Sequence, residues 1–258
     1  MTTIYFAGPG SIQLEAARRW DWDARPLSIL VSFAYLKQWH AVEPYFRRPK
    51  SLMLDSGAFT AFTLGQTVDH DALLAETAKS KWNEAVGLDV IGDWQGSKRN
   101  AEYALSRGVT KGMPVHHIGD PWDLLEWYCA HFPKVGLSCR FGEDVKTSLR
   151  YYEQCFARAW PHRFHSFGWI AEDALFKFPF HSADAATWTV AGPKFRNWQV
   201  KQRGRRVQVH LSIDGAKVGG AQGREMNTAG VQNGMETMYL LEQNLIRRWA
   251  SALAKLNP

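Results

Sequence analysis

Eight short apolar runs, each closed by polar or small residues, constrain this chain more than any other feature. They cover residues 4–8, 27–33, 51–55, 85–90, 112–116, 134–138, 163–168 and 180–184. Runs of this length and composition suit strands buried on both faces. Most of the intervals read as helices. Residues 69–85 place Leu73, Leu74, Thr77 and Ala78 among charged neighbours, and 97–107, 120–131 and 147–160 read similarly. Asp120-Pro121 is a helix start with proline at the first position. Eight strands alternating with helices predict an α/β fold, a (β/α)8 TIM-like barrel, over residues 1–190. An open doubly wound sheet is the alternative, but no GxGxxG follows the first run to support it.

The character changes after Trp188, and residues 191–258 read as a basic C-terminal extension packed on the barrel. Residues 194–206 carry six basic side chains (Lys194, Arg196, Lys201, Arg203, Arg205 and Arg206) and no acid. Gly204, flanked by apolar stretches at 198–200 and 207–211, predicts a hairpin. Residues 215–234 are glycine-rich and read as loop. Residues 234–256 have helical period, with Leu240, Leu241, Leu245 and Trp249 on one face, and predict a closing helix.

The ligand site of such a barrel lies at the C-terminal ends of its strands. Those ends supply Asp55-Ser56-Gly57, Asp89 with Asp93, His116-His117, Ser138-Cys139, His165, and Ser182-Ala183-Asp184. An acid at the end of a buried strand is costly unless it is paired or used. Helix capping by Asp55 or Ser56 is the plainer use. Three acids converging on one face favour a functional cluster over three separate caps. His116 and His117 point to opposite faces of a strand, so at most one reaches the mouth; His117 is the candidate.

Net charge is +6, with a sequence pI near 9.2 and twelve tryptophans. That balance fits either a nucleic-acid partner or a mildly basic enzyme with large core aromatics. Cys129, Cys139 and Cys155 form no CxxC pair, which argues against a disulfide framework or a cysteine-rich zinc site. No apolar run reaches membrane-spanning length, and Met1 to Tyr5 do not open a secretory signal. The expected compartment is the cytoplasm, with no membrane partner.

The strand ends also carry a family resemblance. Leu54-Asp55-Ser56-Gly57-Ala58-Phe59 resembles the Asp-Ser-Gly-Gly-Phe-Gln signature of tRNA-guanine transglycosylases. Gly87-Leu88-Asp89-Val90, Pro114-Val115-His116-His117, Val135-Gly136-Leu137-Ser138, His165-Ser166-Phe167-Gly168 and Ser182-Ala183-Asp184-Ala185-Ala186-Thr187-Trp188 follow in the family's order. The last piece is most similar to the DpdA-type branch, phage and bacterial relatives that place 7-deazaguanines in DNA. The match covers roughly residues 1–190. It departs where Thr60 replaces a glutamine and where histidine replaces a base-contacting glutamine. No cysteine lies beyond Cys155, so the family's C-terminal zinc module is excluded by ligand count.

The resemblance implies guanine exchange in DNA for a 7-deazaguanine, with the host cytoplasm as location if the source is a phage. Asp184 would be the nucleophile and Asp55 the general acid and base. Asp89 would read the N–H edge of the base. Ser56, Gly57, Phe59, His117, Gly136 and His165 complete the expected base pocket, with Phe59 stacking and Gly136 admitting the base to the backbone. Lys194, Arg196, Lys201, Arg203, Arg205 and Arg206 would hold phosphates of double- or single-stranded DNA, with Trp198 stacking. No cofactor and no metal are expected, and a homodimer stays open. Three other readings remain: the same exchange on tRNA; a metal-dependent barrel hydrolase using Asp55, Asp89, His117, His165 and Asp184; and a non-catalytic nucleic-acid-binding protein.

Overall fold

The apolar runs become the staves of a parallel barrel, seen in a computed structural model that describes residues 2–9, 13–139, 143–168, 172–186, 198–202, 205–209 and 220–254. The strands are β1 (Thr3–Ala7), β2 (Ser28–Ser32), β3 (Ser51–Asp55), β4 (Glu84–Val86), β5 (Gly112–Met113), β6 (Val115–His117), β7 (Lys134–Ser138), β8 (Arg163–Ser166) and β9 (Ser182–Ala185). They pair in the order β5-β4-β3-β2-β1-β9-β8-β7-β6, and every pair is parallel. The ends of that order, β5 and β6, are consecutive in the chain. They are one stave broken at Pro114, which has no N–H to give the ladder. Eight expected strands thus appear as nine segments. On either side of the break, the Gly87 N–H donates to Met113 O and the Gly136 N–H to Pro114 O, both at 2.8 Å.

Helices follow the strands: α1 (Leu14–Arg19), α2 (Leu36–Val42), α3 (Ala58–Leu64), α4 (His70–Thr77), α5 (Trp94–Ser106), α6 (Trp122–His131), α7 (Val145–Ala159), α8 (Glu172–Lys177) and α9 (Gly220–Ala254). Asp69, Asp93 and Asp144 cap α4, α5 and α7 by accepting from first-turn N–H groups. Asp93 therefore belongs to the start of α5 rather than to the strand-end cluster.

The two-residue period of the strands divides the core. Ile4, Phe6, Ile29, Val31, Leu52, Leu54, Val135, Leu137, Ala183 and Ala185 pack outward in the layer shared with the helices. Tyr5, Ala7, Leu30, Met53, Val86, Met113 and Val115, with Phe167, form a separate cluster filling the inside of the barrel. Truncating an outward residue such as Leu54 to alanine costs about 2–5 kcal/mol.

The closing helix is longer than its sequence suggests. It begins at Gly220, so much of the segment read as loop is helical. Each added residue contributes a hydrogen bond once a helix is anchored, which offsets the weak propensity of its scattered glycines. Its anchor is a stripe of Val231, Met235, Met238, Leu241 and Leu245, buried with Ile4 and Phe6. Leu240, expected on that face, is exposed. Ion pairs from Arg25 to Glu236 and from Lys50 to Glu242 fix the helix, and the Trp249 indole donates to Leu175 O at 3.0 Å. Between barrel and closing helix, β10 (Trp198–Gln202) and β11 (Arg205–Val209) pair antiparallel as the sequence predicts. No helix among the described residues is long and apolar enough to cross a membrane.

Candidate active site at the barrel mouth

Strand ends bring Asp55, Asp89 and Asp184 into one electrostatic neighbourhood. Asp55 ends β3 and turns back on its own chain, its Oδ2 accepting from the Gly57 N–H at 3.1 Å. Burial pushes its carboxyl up to about 6. The Gly57 amide opposes that rise, while the charges of Asp184 and Asp89 add to it. A carboxyl poised there holds a proton for part of the neutral range and can give it up.

Asp184, on β9, is held differently. Its Oδ1 accepts from the Gly168 N–H at 2.9 Å and lies 3.2 Å from His165 Nε2. Only 7% of the residue is exposed. Ser182 reaches Asp184 only through His165. Ser182 Oγ lies 2.7 Å from His165 Nδ1, and His165 passes the constraint on. His165 was expected to touch substrate, but it is fully buried and both ring nitrogens are engaged. It faces the barrel interior below Phe167 on the period of β8, with Nε2 toward Asp184.

Asp89 follows β4 and pairs with His117 at the end of β6, Nε2 to Oδ2 at 2.9 Å. Burial alone would lower the His117 pKa, but the hydrogen bond and charge of Asp89 outweigh it and raise it. The Asp120 carboxylate accepts from the His117 N–H at 2.9 Å and fixes the local backbone. His116 points the other way, as the alternation requires. It is fully buried between Tyr151 Oη at 2.8 Å and Pro121 O at 3.2 Å, and its ring stacks with Trp122.

Three expected pocket residues do other work. Gly57 adopts φ +75°, and a Cβ there would meet Ala34 N at 3.0 Å; the turn is packed on the chain after β2. Ser56 is buried and its Oγ accepts from the Ala58 N–H at 3.3 Å, a local side-chain turn just before α3. At Gly136 a Cβ would fall 2.2 Å from Phe167 Cε2. The open face of that glycine is filled by the Phe167 ring, which also packs edge-on to His165 with centroids 4.4 Å apart. Phe59 stands on α3 beyond the mouth, 62% exposed. Phe62, Leu64, Tyr35, Val90 and Trp94 are exposed on the same strand-end side.

Sequence reasoning missed Lys134, Phe167 and the Gly168 N–H. Lys134 carries a signal in retrospect, as a charge opening an apolar run in phase with Gly136. Of the basic segment, Trp198 and Lys201 lie on β10 and Arg205 and Arg206 on β11, while Lys194, Arg196 and Arg203 lie outside the described residues. Lys201 and Arg206 are register partners. Among the described residues, no group of three or more His, Cys, Asp or Glu side chains is placed to hold a metal ion.

No protein-family model and no curated protein matches the chain. It is similar to the solved structure of the YdjI aldolase from Escherichia coli K12, at 10% identity and a TM-score of 0.48, over 93% of this chain and 91% of that one.

Proposed function

We propose that this barrel is an enzyme that exchanges guanine in DNA for a 7-deazaguanine, through a covalent sugar–aspartate intermediate. One observation carries the reading: two acids of one mouth sit in different environments, Asp184 accepting from the Gly168 N–H beside His165 Nε2 and Asp55 raised by desolvation to about 6. Pairs of acids divided this way serve as nucleophile and proton carrier.

In the first half-reaction the Asp184 carboxylate attacks C1′ of the target nucleotide. The C1′–N9 bond breaks, and protonated Asp55 gives its proton to the departing guanine. In the second half the incoming base loses its N9 proton to Asp55. N9 then attacks C1′, and the bond to Asp184 breaks. Protons and bonds balance over the cycle, so no oxidant or reductant is needed. Asp89 accepts from the N–H edge of either base, and His117 holds it in place.

The hairpin supports a polyanionic partner. Lys201 sits opposite Arg206 in its register. Like charges directly opposed on a ladder are destabilising, and phosphates would neutralise them. The exposed aromatics near the mouth offer stacking surfaces for bases flanking an extruded nucleotide. The choice of DNA over tRNA rests on the resemblance of the Asp184 motif.

The test incubates the protein with plasmid DNA or total tRNA, labelled guanine and a panel of 7-deazaguanines, beside Asp184→Ala. The expected result is label entering DNA with the parent protein and none with the variant. Label entering tRNA alone would move the substrate and keep the chemistry. Equal incorporation by Asp184→Ala would remove Asp184 as nucleophile.

A further inference from the structure

The barrel floor holds a lysine for which the base exchange has no use. Lys134 opens β7, is buried, and pairs with Glu84 at the start of β4. Its ammonium also donates to Ser182 Oγ at 3.2 Å. Ser182 Oγ lies 2.7 Å from His165 Nδ1, and His165 Nε2 lies 3.2 Å from Asp184 Oδ1. A continuous hydrogen-bonded chain thus runs through the barrel interior from floor to mouth. It runs alongside the apolar cluster of Tyr5 and Met53, His165 packing edge-on against Phe167.

Counting protons along this chain fixes its direction. An ammonium can only donate, so Ser182 Oγ accepts from Lys134 and keeps its own proton for another partner. At the far end, a ring nitrogen facing a carboxylate must carry the proton, because a lone pair there would repel the oxygen. Nε2 therefore donates to Asp184, and Nδ1 accepts from Ser182. These two contacts together select the Nε2–H tautomer. A doubly protonated ring would set two cations against one hydroxyl and strand the serine proton. The other titratable groups around this chain are Glu84 behind Lys134, Arg163 on β8, His181 before β9 and Tyr5, whose ring centroid lies 6.3 Å from that of His165. His181 is itself pushed down to about 3, first by burial and then by Lys134 and neighbouring positive groups, so this side of the floor resists further positive charge.

We propose that Lys134 and Ser182 lock the tautomer of His165, so that His165 holds Asp184 Oδ1 and leaves Oδ2 as the oxygen that bonds the sugar. All three are positioning residues, acting on substrate only through Asp184. The catalytic consequence rests on the base-exchange reading; the tautomer does not.

The test is a long-range 15N–1H correlation spectrum of histidine-labelled protein at neutral pH, with His165 assigned by its loss in His165→Gln. The expected spectrum shows a neutral Nε2–H ring. In Lys134→Met the serine is freed to accept, and the His165 shifts should move toward an Nδ1–H or exchanging form. In the exchange assay Lys134→Met should lower kcat on the order of tenfold with KM for the base unchanged. Lys134→Arg, which keeps a donor, should recover part of that loss. An Nδ1–H or doubly protonated ring in the parent protein would overturn the relay, as would unmoved His165 signals in a folded Lys134→Met. If Lys134→Met fails to fold, the parent spectrum alone decides. An Nε2–H ring in a protein without exchange activity would sink the base-exchange reading and leave the relay standing.

Discussion

On the β8–β9 side of the mouth Asp184 accepts from the Gly168 N–H and lies 3.2 Å from Nε2 of a buried histidine. On the β3 side Asp55 has the Gly57 amide, a buried setting and two acidic neighbours. The side chains are chemically identical and both end strands. Their surroundings differ: hydrogen-bond partners hold Asp184, whereas desolvation raises the Asp55 carboxyl to about 6. Two acids at matching strand ends thus differ by what surrounds each, donors at Asp184 and burial with neighbouring charge at Asp55.

The largest effect is expected where that asymmetry is removed. Asp55→Asn should lower the exchange rate by about 10²–10⁴-fold, the usual worth of a positioned acid–base group. The same change should stabilise the fold. Asp55 binds its proton more tightly folded than unfolded, so stability that is complete below pH 3.8 is lost as pH rises through about 6. Removing the charge should restore up to about 3 kcal/mol at pH 8 and nothing near pH 3. Urea melts at the two pH values measure this. Equal stability of parent and variant at pH 8 would show that Asp55 is not perturbed.

Asp89 sharpens the comparison from a third stave. Asp89→Asn should raise KM for the incoming base by about tenfold or more, as loss of a charged hydrogen-bond acceptor does, with a smaller change in kcat. It should also reverse the shift of His117. With the carboxylate gone, burial prevails and the imidazole pKa falls below its usual value. An NMR titration of His117 reads this without any activity assay. A His117 pKa still raised in Asp89→Asn would place its counter-charge elsewhere.

Gly136 tests whether the wall between the two sides is packing or pocket. Gly136→Ala drives a methyl into the Phe167 ring and should cost about 1–3 kcal/mol, read as a lowered Tm. Phe167→Leu in that background should recover much of the loss. A neutral Gly136→Ala would mean that the ring moves freely and the face is open to a base.

The staves were legible because a strand buried on both faces must be apolar along its length. The acids were legible because strand ends are where such runs stop. What escaped depends on partners distant in sequence. Gly57 is shaped by Ala34, and Gly136 by Phe167, whose ring comes from the neighbouring stave. Asp93 looks like a strand-end acid until the first turn of α5 claims it. His165 shares its strand-end label with His117, but the register pairs it with Gly136 and Ser182, one layer deeper than Asp184 and under Phe167. The length of α9 was hidden by glycines whose local cost is outweighed by a buried stripe further along the helix.

The smallest effects are expected at the hairpin. Its register pairs Trp198 with Val209, Gln199 with Gln208, Val200 with Val207, Lys201 with Arg206 and Gln202 with Arg205. Lys201→Gln and Arg206→Gln should each weaken DNA binding to a similar degree across sequences. Each should also reduce the slope of log K against log salt by about 1. Because each relieves an opposed like-charge pair, each should leave the fold unchanged or more stable by a few tenths of a kcal/mol. A salt slope identical to that of the parent would remove the hairpin from the nucleic-acid interface. Binding of substrate DNA would then depend on the mouth alone, and the contrast between Asp55 and Asp184 would account for chemistry without accounting for how the strand arrives.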